Sequence, residues 1–239
     1  MPRIALALTL WPLFACTAAA QDASGSDRGV SGKAALGYLS TSGNTESTNT
    51  NAALAILYQL SDWGHDFEVS AVSASSSDET TAEAYLLDYE ARRSYGEHHY
   101  LFTALDWKRD RFSGYPEQTS ETVGYGRRLI DRAGHVLDGG LGIGARQSEL
   151  LDGTEEGDGI VRGSMDYVWA MTDTAEFEQQ VIVESGSTNT MLESRSALRA
   201  RIIGDISLVL SFRIKQNSAV PPGAASADRF SSISLEYAF

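Results

Sequence analysis

From about Gly32 to Phe239 the chain alternates apolar and polar residues with a period of two, in segments separated by turn-forming residues. Period two places successive side chains on opposite faces of an extended strand, whereas a helix would repeat every 3.6 residues, and no helical period is present. The last segment is the clearest. Ser231, Ile233, Leu235, Tyr237 and Phe239 share one face, and Asp228, Ser232, Ser234 and Glu236 share the other. Ala52, Leu54, Ile56 and Tyr58 alternate in the same way with Asn51, Ala53, Ala55 and Gln59. Tyr85, Leu87, Tyr89 and Ala91 alternate with Leu86, Asp88, Glu90 and Arg92, and Leu101, Thr103, Leu105 and Trp107 with Ala104, Asp106 and Lys108. Phe177, Val181 and Val183 alternate with Glu176, Glu178 and Glu184, and Ile206, Leu208, Leu210, Phe212 and Ile214 with Ser207, Ser211, Arg213 and Lys215.

The pattern predicts twelve strands, over 32–42, 47–60, 65–76, 82–94, 99–112, 119–130, 135–147, 159–171, 175–185, 190–203, 205–216 and 227–239. The even-numbered links are tight, as at Ser61-Asp62-Trp63-Gly64, Tyr95-Gly96-Glu97-His98 and Asp131-Arg132-Ala133-Gly134, then Thr172-Asp173-Thr174 and Gly204. The odd-numbered links are longer and more polar: 77–81, 113–118, the acidic 148–158, and 217–223. A soluble sandwich would bury its apolar faces in a core. A barrel turns them to lipid and lines its lumen with the polar set, with short turns on the periplasmic rim and longer loops outside. The asymmetry of the links and the even strand count, which closes the sheet and removes its edges, predict an all-β fold. It is a transmembrane antiparallel up-and-down β-barrel of about twelve strands spanning 32–239, with both termini at the short-turn rim.

The beginning of the chain reads differently. Arg3, the apolar run from Ile4 to Ala15 and the small residues Ala18-Ala19-Ala20 have the layout of a cleaved secretory signal peptide over 1–20. The apolar run is too short for a spanning helix. A short polar leader, 21–31, follows. The single cysteine, Cys16, lies in the signal segment, where Leu13-Phe14-Ala15-Cys16 is a loose match to a lipidation box. Removal of the segment takes the net charge from -13 to -14. So acidic a chain, without a basic stripe carrying interleaved aromatics, excludes nucleic acid as a partner. Beyond the signal no apolar run approaches the ~20 residues of a membrane helix, which a strand-built membrane protein does not need.

The end of the chain, with apolar residues at alternate positions up to Phe239, resembles the C-terminal signature of bacterial outer-membrane barrels. That resemblance implies recognition of the last strand by the barrel-assembly machinery. Further stretches resemble the salt-induced outer-membrane protein family, a domain of unknown function. They are Gly37-Tyr38-Leu39-Ser40-Thr41-Ser42-Gly43-Asn44-Thr45, the pair Asp110-Arg111-Phe112 and Gly124-Tyr125-Gly126, and Pro221-Pro222-Gly223 followed by Leu235-Glu236-Tyr237-Ala238-Phe239. The resemblance spans essentially the whole chain after the leader. It implies a barrel in the outer membrane of a Gram-negative bacterium, among outer-membrane lipids and lipopolysaccharide, with a link to osmotic or salt stress. It brings no substrate and no catalytic residues.

Candidate chemistry is sparse. Gly139-Gly140-Leu141-Gly142-Ile143-Gly144 would need a following helix to cradle a phosphate; in a strand such glycines mark close approach of backbone or side chains. His65, His98, His99 and His135 sit beside short turns, without a cysteine or ligand spacing that would make a metal site. A lipid hydrolase would need a Ser–His pair with an orienting group, and the histidines collect at the wrong rim for outer-leaflet lipid. No catalytic, metal or cofactor residues are therefore assigned. The charges expected in the lumen are more informative: Asp88, Glu90, Arg92, Asp106, Lys108, Glu176, Glu178, Glu184, Glu193, Arg195, Arg199 and Arg201. Those of strands 9 and 10 are neighbours, and acid–base pairing between the two is expected. Such pairs either fill the lumen or form a charged constriction for small ions or solutes. Of the consecutive Arg127 and Arg128, one must face lipid and snorkel to the interface. The acidic stretch Glu149, Asp152, Glu155, Glu156 and Asp158 is expected as a solvated outer loop, with divalent cations as the alternative.

Overall fold

The computed structural model describes residues 28–41, 47–76, 79–221 and 224–239. The expected signal peptide, Cys16, the leader up to residue 27, Ser42-Gly43-Asn44-Thr45 and Pro222-Gly223 lie outside the described residues. The twelve strands are β1 (Arg28–Thr41), β2 (Ser47–Leu60), β3 (Trp63–Ser76), β4 (Glu79–Tyr95), β5 (His99–Asp110) and β6 (Glu117–Arg132), followed by β7 (His135–Glu149), β8 (Glu155–Thr172), β9 (Ala175–Ser185), β10 (Thr190–Ile203), β11 (Ile206–Asn217) and β12 (Ala227–Ala238). Each pairs antiparallel with its sequence neighbours, and β1 pairs with β12, so the sheet closes. At the seam Gly32 N–H donates to the Phe239 carbonyl (2.8 Å) and Phe239 N–H to the Gly32 carbonyl (2.9 Å).

The bounds of β2, β9 and β10 are those expected from periodicity. Others are longer. Strand β1 starts at Arg28, where residues 28–31, expected as leader, pair with 57–60 of β2. Polar Thr80, Glu155 and Glu156 were expected in loops but continue the ladder, opposite Ser75, Glu149 and Ser148. Charged residues there stand beyond the lipid, where water solvates them without disturbing backbone pairing; a spanning strand needs only ~9–11 residues.

The apolar faces are outside. Leu36, Leu141 and Ile143 are 66–70% exposed, and Ile233, Leu235, Tyr237 and Phe239 are about half exposed. No water-soluble fold leaves such a continuous apolar wall uncovered, whereas a bilayer requires it. The short turns collect at one rim. Gly96, Gly134 and Gly204 take φ values of 68°, 77° and 54°, which glycine adopts without a Cβ clash. Just above this rim the outer wall carries an aromatic girdle. It contains Tyr58, Trp63, Tyr89, Tyr95, Tyr125, Tyr167, Trp169 and Tyr237, their rings against those of three histidines or of Phe239. Aromatic belts of this kind mark the level of the lipid headgroups.

Candidate functional site

Inward side chains fill the barrel in three levels. The lowest, at the short-turn rim, is a half-open vestibule with a cavity of about 350 Å³, lined by Leu57, Gln59, Asp66, Glu90, Arg92, Arg128 and Asp138 among others. Arg92 bridges Glu90, Asp138 (3.8 Å) and Asp166 (3.6 Å). Arg128 grips Asp138 through two bonds of 3.0 and 3.2 Å. On the other side Arg199 gathers Glu176 (2.6 Å), Glu178 (2.7 Å) and Glu236 (2.6 Å), and Lys33 reaches Glu178 at 3.5 Å.

The middle level is a waist spanned by ion pairs. Glu193 of β10, 1% exposed, holds Lys108 at 3.0 Å, Arg213 at 2.8 Å and Arg195 at 2.6 Å. Arg195 continues to Asp88 at 3.1 Å and Glu68 at 3.7 Å. Arg162 of β8 bonds Asp106 (2.5 Å) and Glu184 (2.8 Å), and Glu184 also accepts from Ser120 (3.1 Å). These partners sit far apart around the wall. β4 and β10, which carry Asp88 and Arg195, are diametrically opposite in the ring, and β5 and β10, which carry Lys108 and Glu193, nearly so. Side chains thus cross the lumen and meet in its middle. Isolated buried charges would be costly, but here Asp88, Asp106, Glu184 and Glu193 each face a base at hydrogen-bond distance.

The upper level is a lid. The loop after β5 folds inward, with Ser113 and Tyr115 both buried. The Tyr115 hydroxyl donates to the Ala219 carbonyl (3.0 Å) of the β11–β12 loop. Burial raises the pKa of that hydroxyl, with Glu156 adding to the effect, so it remains a neutral donor at neutral pH. A Cβ on Gly114 would lie 3.0 Å from Ala224 and 3.2 Å from Pro221, so a side chain there would require one of the two loops to give by a few tenths of an ångström. Beneath them Asn189 donates to Asn217 (2.8 Å), and Arg146, 2% exposed, donates to the Asn189 carbonyl (2.7 Å).

Of the twelve charges expected in the lumen, eleven take part in these networks. Arg201 does not. It is exposed at the short-turn rim, where β10 bulges between Arg201 and Ile203, and makes no ion pair among the described residues. The expected pairing of β9 with β10 holds for Arg199 with Glu176 and Glu178, but Glu184 turns instead to Arg162 of β8, because its register partner on β10 is Met191. Sequence reading missed Lys33, Asp66, Glu68, Arg128, Asp138, Arg146, Arg162 and Asp166 as lumen charges; parity along their strands identifies each. It also missed inward apolar residues. Tyr100 and Phe102 lie against the inner wall over Gly124, Gly126, Gly140 and Gly142, the glycine run being what makes room for the rings.

The acidic outer stretch is corrected as well. Only residues 150–154 form the hairpin loop. Asp158 accepts from Ser187 Oγ (2.8 Å) and from the Thr188 backbone (3.1 Å), so it fixes the β9–β10 turn. Among the described residues no group of three His, Cys, Asp or Glu is placed to hold a metal. His65, His99 and His135 stand separately on the outer wall, each hydrogen-bonded through Nδ1 to a tyrosine hydroxyl of the adjoining strand: Tyr89 at 2.9 Å, Tyr125 at 2.5 Å and Tyr167 at 2.8 Å. His98 stays in the turn. Of the two consecutive arginines, Arg127 faces outward and Arg128 inward.

Comparison with solved structures agrees on the fold. The translocator domain of the autotransporter NalP from Neisseria meningitidis superposes with a TM-score of 0.50 at 12% identity, over 91% of this chain and 90% of that one. An outer membrane channel from Pseudomonas putida F1 is similar at TM-score 0.49 and 11% identity, over 91% and 99%. In sequence, the uncharacterized protein YdiY of Escherichia coli (strain K12) is 33% identical over 207 residues, 84% of this chain and 80% of the relative. The family model described as a protein of unknown function, DUF481, matches residues 34–239. A closed transmembrane β-barrel with its lumen spanned by ion pairs, the chain belongs to the DUF481 family.

Proposed function

We propose that the protein is a narrow passive pore for small ions or solutes in the outer membrane, its waist crossed by paired charges. The observation that supports this reading is a lumen lined mainly by charged and polar side chains at each level, with inward apolar residues such as Phe102, Ile182 and Val209 scattered among them. An acid-rich vestibule leads to the waist of paired charges, and the lid above is polar as well. Five buried side-chain atoms of the lumen, among them Arg146 Nη1, Arg162 Nε and Thr122 Oγ1, have no hydrogen-bond partner among the described residues. Buried groups of this kind call for a polar partner such as water, in keeping with a wet passage. Ion-pair partners on mobile side chains can part without unfolding the wall, and rings of charge are the usual filter of such channels. A part in osmotic or salt stress rests on the family resemblance, and export through a cleaved signal peptide rests on the layout of residues 1–20.

A second reading, a non-conducting structural barrel, draws on the same waist: Glu184 and Glu193 are each 1% exposed, so the pairs could serve as filling. Planar-bilayer recording separates the two. The pore reading expects small, stable steps interrupted by long closures; silence across salts and voltages, from protein shown to be folded, would establish the structural reading instead. Lipid turnover that vanished on replacing a serine or histidine would point to an enzyme.

A further inference from the structure

Two pairs of consecutive arginines stand at the short-turn rim, Arg92-Arg93 on β4 and Arg127-Arg128 on β6. Strand alternation sends one of each pair inward and one outward. The inward members, Arg92 and Arg128, meet carboxylates. The outward members, Arg93 and Arg127, are exposed and have no carboxylate within ion-pair distance among the described residues. An ionised side chain on the lipid face is unfavourable unless a counter-charge meets it, and this one stands in the girdle that marks the headgroup level.

The two arginines flank β5, and the register places them around one patch. Tyr95, His99 and Arg127 form one cross-strand row, and Arg93, Leu101 and Tyr125 form the next. Between the turns lies a hollow of about 500 Å³ on the outer wall, lined by Asp62, Arg93, Ser94, Tyr95, Gly96 and Leu101. The Arg93 guanidinium lies 5.7 Å from the centroid of the Trp63 ring, which supports it from one side. His99 uses Nδ1 toward Tyr125; a tyrosine hydroxyl donating there leaves Nε2–H as a further donor.

We infer that this patch binds the headgroup of an anionic phospholipid of the periplasmic leaflet, the phosphodiester lying against Arg93 and Arg127 and the acyl chains against the wall above Leu101. A guanidinium presents paired donors that match phosphate oxygens. An anionic lipid is favoured over a zwitterionic one because the patch holds two arginines against a single acid, Asp62. The same placement gives the protein a fixed depth and rotation in the membrane, apart from anything that passes through the lumen.

The test is native mass spectrometry of the full-length, exported protein taken from nanodiscs of phosphatidylglycerol and phosphatidylcholine with identical acyl chains. Retained phosphatidylglycerol should exceed phosphatidylcholine, with each arginine contributing about five-fold to the ratio. Arg93→Gln with Arg127→Gln should bring the ratio to parity while the heat-dependent shift in electrophoretic mobility stays intact. If the double variant fails to fold, the two single variants read the same ratio, and each should lower it. Parity in the unaltered protein, or an unchanged ratio in folded variants, would overturn the assignment. So would loss of the preference on adding inorganic phosphate, which would show a site for the free anion rather than for lipid.

Discussion

Glu193 is the residue on which the waist depends most. Three cations, Lys108, Arg195 and Arg213, converge on one carboxylate that is almost wholly buried. Glu193→Ala leaves them facing one another, and removal of one partner from a buried ion-pair cluster costs about 3–5 kcal/mol. The urea midpoint of the heat-modifiable form in micelles should fall accordingly; an unchanged midpoint would mean that the cluster is solvated and slack. The glycine patch makes a second residue-scale prediction. A Cβ on Gly124 would overlap the Phe102 ring and lie 2.5 Å from the Leu141 carbonyl. Gly124→Val should therefore cost about 1–3 kcal/mol through overpacking. Phe102→Ala in the same chain should recover only part of that, since the carbonyl contact remains; a double-mutant cycle reads the difference.

Among the elements, the strands were legible from sequence and the lid was not. Period two reports which side of the wall a residue faces, and that is enough to find β2, β9 and β10 to the residue. It stops reporting where both sides are wet, which is why the outer ends of β4 and β8 look like loop in the sequence. It also equates apolar with lipid-facing. Phe102, Ile182 and Val209 break that rule because a twelve-stranded lumen is narrow enough for inward side chains to pack on one another. The network partners were hidden for a different reason: local pattern gives the face of a residue, but the meeting of Lys108 with Glu193 depends on closure and on the stagger of strands far apart in sequence. The inward fold of the β5–β6 loop carries no periodic signal at all. It rests on Tyr115 and Gly114 meeting the β11–β12 loop. Tyr115→Ala should loosen this lid, and a cysteine at Ser113, reacted from outside with a membrane-impermeant thiol reagent, should label faster in that variant than in its parent. Equal rates would mean that the lid stands without the tyrosine.

For the whole molecule, the direction of the two faces is the first thing to establish. Ile143 is 66% exposed, and arginine at such a position on a soluble protein would be close to neutral. On a lipid-facing wall near mid-membrane it should cost about 2–4 kcal/mol, seen as a lowered folding free energy in liposomes. The second is whether crossing side chains close the passage. Twelve strands lie between barrels that side chains fill and barrels that hold open channels, so wall geometry leaves the answer to the waist. Single-channel conductance of Lys108→Ala with Glu193→Ala, compared with the unaltered chain under the same salt and voltage, reads it directly. Trimming both sides of that bridge should produce larger steps with fewer closures. Folded double-variant barrels no more conductive than the parent would contradict a passage held shut at that level.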